Sequence, residues 1–319
     1  MPGDDWILRS LRGTRANPPE RAADDPDRRA LFGAGLEQFE QLLKASQVVG
    51  PPARPLPLFY ALSQAGRAIV AAKGADPEIT GHGLSEDKSQ QPPPIDLLHR
   101  RIKRSPSRNG RDAFTAVSRA TGAADLKDGI ELGAVWSALP ETYRIPESSW
   151  LEEWRPPLPV LDETSYRGKE GKVQIQAMSM SGNPHHNEVS TLKGRYPTLP
   201  PQVEIGLKSA DSGLGPGNWI VVLSWDEQYS LDEVAPLSTS TDGQSRHLVP
   251  TLPGHDECLS PLMMWWVLLY GLSIFARYHP GLWIKALDVE SSELAVPIEG
   301  VLDHALTAVP ALVHRELLG

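Results

Sequence analysis

The sequence predicts an α+β protein: a helical bundle formed by the N- and C-terminal parts, with an inserted small antiparallel β-section. Apolar residues recur at intervals of three and four over residues 26–49 and 58–72, as on one face of a helix. This period is lost between about residues 154 and 248, and a long apolar stretch follows. The predicted parts are residues 1–150, 151–250 and 251–319.

The helices of the N-terminal part are predicted from local signals. Residues 1–30 form a surface segment anchored near Trp6, up to a helix that starts at Asp24-Asp25-Pro26-Asp27 and ends near Val49. Acidic residues and proline suit the first turn of that helix. The helix over residues 58–72 is rich in alanine and glycine, so that another helix can approach it closely. A further helix is predicted over residues 130–139.

The inserted section is predicted from strand patterns. Residues 173–180 and 202–207 alternate between apolar and polar side chains, which is typical of strands with one buried face. Residues 219–225 form a short continuous apolar run that suits a buried strand. We therefore expect a mostly antiparallel sheet between the two helical parts.

The most apolar stretch of the chain is Leu262–Ala276. As a helix its ~15 uncharged residues would span roughly 22 Å, which is short of the ~30 Å hydrocarbon core of a membrane. We therefore predict a buried core helix and no membrane segment. Two amphipathic pieces should follow, the first capped by Ser291 or Ser292 and the second beginning at Pro310.

Charge and composition limit the function classes. The net charge of −9 means that nucleic-acid binding would need a local basic patch. The single cysteine, Cys258, excludes an internal disulfide and fits a reducing cytoplasm, and no signal peptide is predicted. There is no Walker loop, nucleophile elbow, H-E-x-x-H or dinucleotide-binding motif, and we expect no cofactor.

The end of the apolar stretch is the first candidate site. Arg277 can clamp a phosphate or carboxylate, His279 can act as a general acid or base, and Tyr278 lies between them as a ligand-binding candidate. The structural alternative is that Arg277 and His279 stabilise the negative end of the helix dipole, an effect of ~0.3–1 kcal/mol.

Two further candidates lie upstream. His82 stands between two glycines, where a tight loop can bring it to the same site, although a loop histidine is often merely exposed. Gln64 and Arg67 share one face of the second helix as ligand-binding candidates. We expect Arg67 to be buried among small residues and to need a partner, either a carboxylate such as Asp288 or a ligand.

A basic run is conspicuous in this acidic chain. It follows His99 and is a candidate surface for a nucleic-acid backbone or an acidic protein partner. No aromatic residue is interleaved for base stacking, so a solvated loop is an equal alternative. The candidate contacts are Arg100, Arg101, Lys103, Arg104, Arg108 and Arg111.

Metal binding is not predicted. His247, His255 and Cys258 are the nearest approach to a ligand cluster, with His185 and His186 elsewhere in the sequence. Their spacing is irregular, and a second cysteine is lacking.

Three stretches resemble the YaaC-like family, an uncharacterised bacterial group. They are Pro55-x-x-Leu-Phe-Tyr-Ala-Leu-Ser-Gln-Ala-Gly-Arg67, His82-Gly-Leu84 and Ala276-Arg-Tyr-His-Pro-Gly-Leu-Trp283. The first helix pair also resembles, more loosely, the HEPN bundles of RNA-cleaving toxins and defence proteins. The HEPN catalytic pattern is an arginine followed, after four to six residues, by a histidine, and no histidine here fits it.

Two function hypotheses follow. The first is a YaaC-like intracellular binding module in a nucleic-acid or phage-defence context; of the two resemblances, only the looser one to HEPN bundles points to that context. The alternative is a nuclease or another phosphate-handling hydrolase that uses Arg67, His82, Arg277 and His279. The sequence leaves open which of the two is right, and it leaves the oligomeric state open.

Overall fold

The computed structural model describes residues 2–87, 96–107, 109–126, 129–142, 156–162, 172–179, 204–209, 219–226, 237–239 and 246–319. The chain is mostly helical with small antiparallel sheets, so the predicted α+β class is confirmed. It divides into two compact units, residues 1–136 together with 259–319, and residues 137–258.

The described helices follow the apolar periods of the sequence. Those predicted over residues 26–49, 58–72 and 262–276 are confirmed, and Asp25 caps the first of them by accepting the backbone N–H groups of Asp27 and Arg28. The bounds are α1 (Pro2–Thr14), α2 (Arg21–Asp24), α3 (Pro26–Val48), α4 (Pro55–Lys73), α5 (Ala113–Thr121), α6 (Leu132–Ala138), α7 (Pro261–Tyr278), α8 (Pro280–Ala286) and α9 (Ala295–Leu318).

Three elements differ from the prediction. The N-terminal segment forms helix α1, whose Trp6 ring lies 5.2 Å from that of His314 on α9. Residues 130–131 form a strand because they pair with another strand, and the helix begins only at Leu132. The C-terminal pieces are one continuous helix, whose N-cap residue is Leu294 and not a serine.

Helix α7 is the core of the first unit. Every residue from Pro261 to Phe275 is buried, which confirms the prediction of a core helix. Helix α4 approaches α7 closely at Gly66, which has no side chain. A Cβ atom on Gly66 would lie only 2.7 Å from Cζ3 of Trp266. Helix α9 is long and apolar enough to cross a membrane, but half of its most apolar segment is buried inside the protein.

The described strands form two antiparallel sheets. In the first unit, β1 (Leu84–Glu86), β2 (Arg101–Arg104) and β3 (Ile130–Glu131) lie in that order. The strands described in the second unit are β4 (Leu158–Asp162), β5 (Lys172–Ser179), β6 (Glu204–Ser209), β7 (Trp219–Asp226), β8 (Leu237–Thr239) and β9 (Arg246–Leu248). They lie in the order β6-β7-β5-β4-β9-β8.

Candidate functional site

Candidate residues from distant parts of the sequence come together in the first unit. The C-terminal end of α7 supplies Arg277 and His279, the first turns of α4 supply Phe59 and Tyr60, and the loop before β1 supplies His82. Each of the three stretches that carry the YaaC-like resemblance therefore contributes to one cluster.

The His82 loop owes its shape to two glycines and to the N-terminus of α5. Gly81 and Gly83 have φ angles of 78° and 83°, a backbone conformation that favours glycine. The backbone N–H groups of Ala113 and Phe114 donate to the carbonyl oxygens of Gly81 and His82 at 3.2 Å. The start of α5 therefore fixes the position of the loop.

Asp112 anchors the same junction. Its carboxylate accepts the backbone N–H groups of Thr115 at 2.9 Å and Ser107 at 3.0 Å, and so caps α5. Burial raises the pKa of Asp112, but the hydrogen bonds from Thr115 and Ser107 outweigh burial, and the net pKa lies below the ordinary value. The carboxylate is therefore held in its charged form, packed against Gly83.

The His82 side chain is half-buried against aromatic rings. The centroid of its ring lies 5.4 Å from that of Phe59, 6.2 Å from that of Tyr60 and 6.4 Å from that of Tyr270. Its pKa is lowered, first by burial and then by the positive charges of Arg277 and Arg67. Burial and the two arginine charges therefore favour the neutral form of the His82 imidazole.

Arg277 lies at the exposed end of α7. Its Nη1 donates to the hydroxyl oxygen of Tyr60 at 2.9 Å, and its guanidinium lies 4.6 Å from the ring centroid of Tyr278. Burial raises the pKa of Tyr270, and the charge of Arg277 opposes that shift. Both protein partners of the Arg277 guanidinium are uncharged, so its positive charge is not neutralised by a carboxylate in the described part of the chain.

His279 joins α7 to α8. Its backbone N–H donates to the carbonyl oxygen of Phe275 at 3.0 Å, and its ring centroid lies 5.6 Å from that of Phe275. Its Nε2 atom lies 3.6 Å from Oε1 of Glu86, too far for a hydrogen bond but close enough for an ion pair when His279 carries a proton. The residue is thus both a helix terminus and a neighbour of a buried carboxylate.

Glu86 and Arg100 were not predicted as a pair. Arg100 Nη1 lies 2.7 Å from Glu86 Oε1, and both side chains are almost fully buried. The Arg100 guanidinium lies 5.2 Å from the ring centroid of Phe275. Glu86 belongs to a polar stretch of sequence that resembles a surface connector, so no local signal identifies it. Arg100, expected on the nucleic-acid surface, is only 3% exposed.

The prediction that Arg67 is buried was wrong. Helix α4 packs through its alanine and glycine positions, and Arg67 lies on the remaining, exposed edge. Asp288 is not its partner, because its carboxylate accepts the Ser291 hydroxyl and the backbone N–H of Glu290. Gln64 and Arg67 line a shallow cleft of about 300 Å³ beside α3.

The rest of the basic run is largely neutralised by neighbouring groups. Lys103 Nζ lies 3.0 Å from Asp87, and Arg111 pairs with both Asp76 and Glu78. Arg104 pairs with Asp125, and Arg101 donates to the carbonyl oxygen of Gly129. Arg108 lies outside the described residues. Binding of a partner through this run stays a prediction.

The residues considered for metal binding are in the second unit. His255 Nδ1 lies 3.0 Å from the carbonyl oxygen of Pro253, and the Cys258 thiol donates to the carbonyl oxygen of Val249. Within the described ranges, no three histidine, cysteine or acidic side chains are grouped as metal ligands would be. His185 and His186 lie outside those ranges.

Comparison with known proteins gives one match. The model of the family described as YaaC-like Protein matches residues 9–317. No curated protein and no solved structure matches significantly. The resemblance to HEPN bundles is not confirmed and stays a prediction. Since the family model covers nearly the whole chain, this protein belongs to the YaaC-like family.

Proposed function

We propose that the chain is a cytoplasmic binding module for a phosphate-bearing ligand in a nucleic-acid context. The ligand lies at the surface formed by Tyr60, Arg67, His82 and Arg277, which we call the anion site. The observation that carries the proposal is geometric: Arg277 donates to the hydroxyl of Tyr60, and the Tyr60 ring lies 6.2 Å from that of His82. Arg67 is an exposed cation on the same helix as Tyr60. Such a group of donors suits a phosphate.

The charges of the first unit favour the anion site over the basic run. Lys103, Arg104 and Arg111 are each paired with a carboxylate, which reduces the positive potential that they present. Arg67 and Arg277 form no ion pair with any residue in the described ranges. A protein with a net charge of −9 attracts an anion only where such cations remain available.

Binding of a short single-stranded RNA with a 5′-phosphate tests the proposal. We expect Arg277→Gln and Arg67→Gln each to weaken binding by roughly tenfold, because each removes a charge-assisted contact to phosphate. Fluorescence anisotropy measures the dissociation constants, with the same RNA lacking the 5′-phosphate as the competing ligand. Arg29→Gln is the matched control, since Arg29 is an exposed arginine of α3 outside the site. Equal affinities for all four proteins would reject the anion site.

A hydrolase is the second candidate, and the lowered pKa of His82 favours it. A neutral imidazole beside Arg277 can accept a proton while the arginine stabilises negative charge on a phosphate. The same RNA, recovered after the binding assay, decides between the two functions. Intact RNA supports the binding module, and cleavage that His82→Gln abolishes supports the hydrolase.

We expect anion affinity to rise as the pH falls. A bound anion neutralises the arginine charges that lower the pKa of His82, so the pKa rises on binding and the complex takes up a proton. Between the pKa values of the free and bound states, affinity should increase by up to about tenfold per pH unit. Calorimetric titration with sulfate, whose charge is constant between about pH 5 and 8, measures this. In His82→Gln the affinity for sulfate should not change with pH, and a retained slope would assign it to another group.

A further inference from the structure

Arg100 has one buried edge without a protein partner. The residue is 3% exposed, and its Nη1 atom is engaged by Glu86 at 2.7 Å. Its Nε and Nη2 atoms are buried, and no residue in the described part of the chain accepts a hydrogen bond from them. A buried, unpaired donor costs roughly 1–3 kcal/mol, and more when it is charged. Such donors call for an explanation beyond packing.

The two unpaired atoms, Nε and Nη2 of Arg100, form one donor edge of the guanidinium. The N–H groups of Nε and Nη2 point the same way from one edge of the planar guanidinium, at the spacing of two oxygens of a carboxylate or phosphate. Glu86 Oε1 forms an ion pair with Nη1 but makes no hydrogen bond within the described part of the chain, and the Arg100 Cζ atom lies over the Phe275 ring, 5.2 Å from its centroid. The side chain is therefore held in place, while its bidentate edge is buried and has no hydrogen-bond acceptor in the described part of the chain.

The edge belongs to the same cluster as the anion site. Phe275 contacts both the Arg100 guanidinium and the His279 ring, and Glu86 lies between Arg100 and His279. The charge of Glu86 also acts on Tyr270, whose ring contacts that of His82. Arg100 and His82 are thus linked by the ring contacts of Phe275 and Tyr270 and by the charge of Glu86.

We propose that Arg100 binds a second oxyanion group of the ligand, at an inner subsite next to the anion site. This inference rests on the proposed function, and it narrows the ligand to molecules with two anionic groups, such as a diphosphate or a phosphorylated carboxylic acid. The donors are closed to solvent in this conformation, so the cluster has to open for the ligand to enter. His279, whose side chain is 25% exposed, is more open to solvent than Glu86 or Arg100.

Charge balance supports two subsites with different roles. Arg100 and Glu86 nearly cancel each other, so the inner subsite alone offers little attraction to a distant anion. Arg67 and Arg277 supply that attraction at the surface. The inner edge then adds directional hydrogen bonds, which discriminate between ligands by geometry. Inorganic phosphate should therefore occupy the anion site only.

Titration with pyrophosphate and inorganic phosphate tests the inner subsite. We expect the wild-type protein to bind pyrophosphate at least about tenfold more tightly than phosphate. Arg100→Lys keeps the charge but removes the bidentate edge, so it should abolish this preference and leave phosphate affinity within about twofold. Arg104→Lys is the matched control. Arg104 is the last residue of strand β2, which begins directly after Arg100, so the same arginine-to-lysine change is made nearby while Arg100 stays intact.

Nuclear magnetic resonance of the arginine side chains tests the inner subsite in the wild-type protein, so the test does not depend on whether Arg100→Lys folds. In the wild-type protein, the Nε–H resonance of Arg100 should shift on saturation with pyrophosphate and not with phosphate. No shift, with binding still weakened in Arg277→Gln, would reject the inner subsite and retain the anion site; the buried donors would then be satisfied by internal water only. Absence of binding by either anion would reject both proposals.

Discussion

Replacing Glu86 by leucine is expected to lower the free energy of unfolding by about 3–5 kcal/mol. The substitution leaves the Arg100 guanidinium buried without its negative partner, since the Glu86 carboxylate is its ion-pair partner in the described part of the chain. A buried charge that loses its counter-charge keeps the full cost of its desolvation. Urea unfolding followed by tryptophan fluorescence measures the change.

The double variant Glu86→Leu/Arg100→Met separates burial of charge from loss of packing. Replacing both members of a buried pair by apolar residues is often neutral or stabilising, so the double variant should regain most of the lost stability. Asp303→Ala is the control: Asp303 is exposed in its pair with Arg54, and its removal should cost less than about 1 kcal/mol. A double variant that is less stable than Glu86→Leu would contradict this interpretation.

Elements whose structure is determined by residues within one segment could be predicted from the sequence, and elements that depend on distant segments could not. Helices α3, α4 and α7 were predicted because spacing, capping residues and apolar length are read within one segment. The strand at Ile130 was missed because it forms by pairing with Ile102, far away in the sequence. Arg67 was wrongly expected to be buried because alanine and glycine residues of α4 flank it, and the sequence does not reveal which edge of the helix its neighbours cover.

The candidate site shows the same limit. His82 and Arg277 were identified by residue type and setting, yet their shared contacts with Tyr60 depend on how α4 and α7 pack. Glu86 could not be recognised, because its partner Arg100 lies beyond a polar, proline-rich connector. Buried ion pairs between segments leave no periodic signal. The outer cations of such a site are therefore easier to predict than its buried acidic partner.

Gly83→Ala is expected to destabilise the first unit by roughly 3 kcal/mol, from two separate costs. An alanine at a φ of 83° is strained by ~1–2 kcal/mol. Its Cβ would also collide with the Asp112 carboxylate, lying 2.7 Å from Cγ, and would press on Cβ of Phe114 at 3.0 Å. Asp112 cannot move away without giving up its hydrogen bonds to Thr115 and Ser107.

Gly81→Ala separates the backbone strain from the collision. Gly81 lies in the same loop as Gly83 and also has a positive φ, of 78°, but it has no neighbour within 4 Å for a Cβ atom to strike. Its substitution should therefore cost only the backbone strain, about 1–2 kcal/mol. Thermal unfolding measures both variants. Equal losses would mean that the Asp112 junction yields easily, and that α5 does not fix His82 beside Arg277 as the anion site requires.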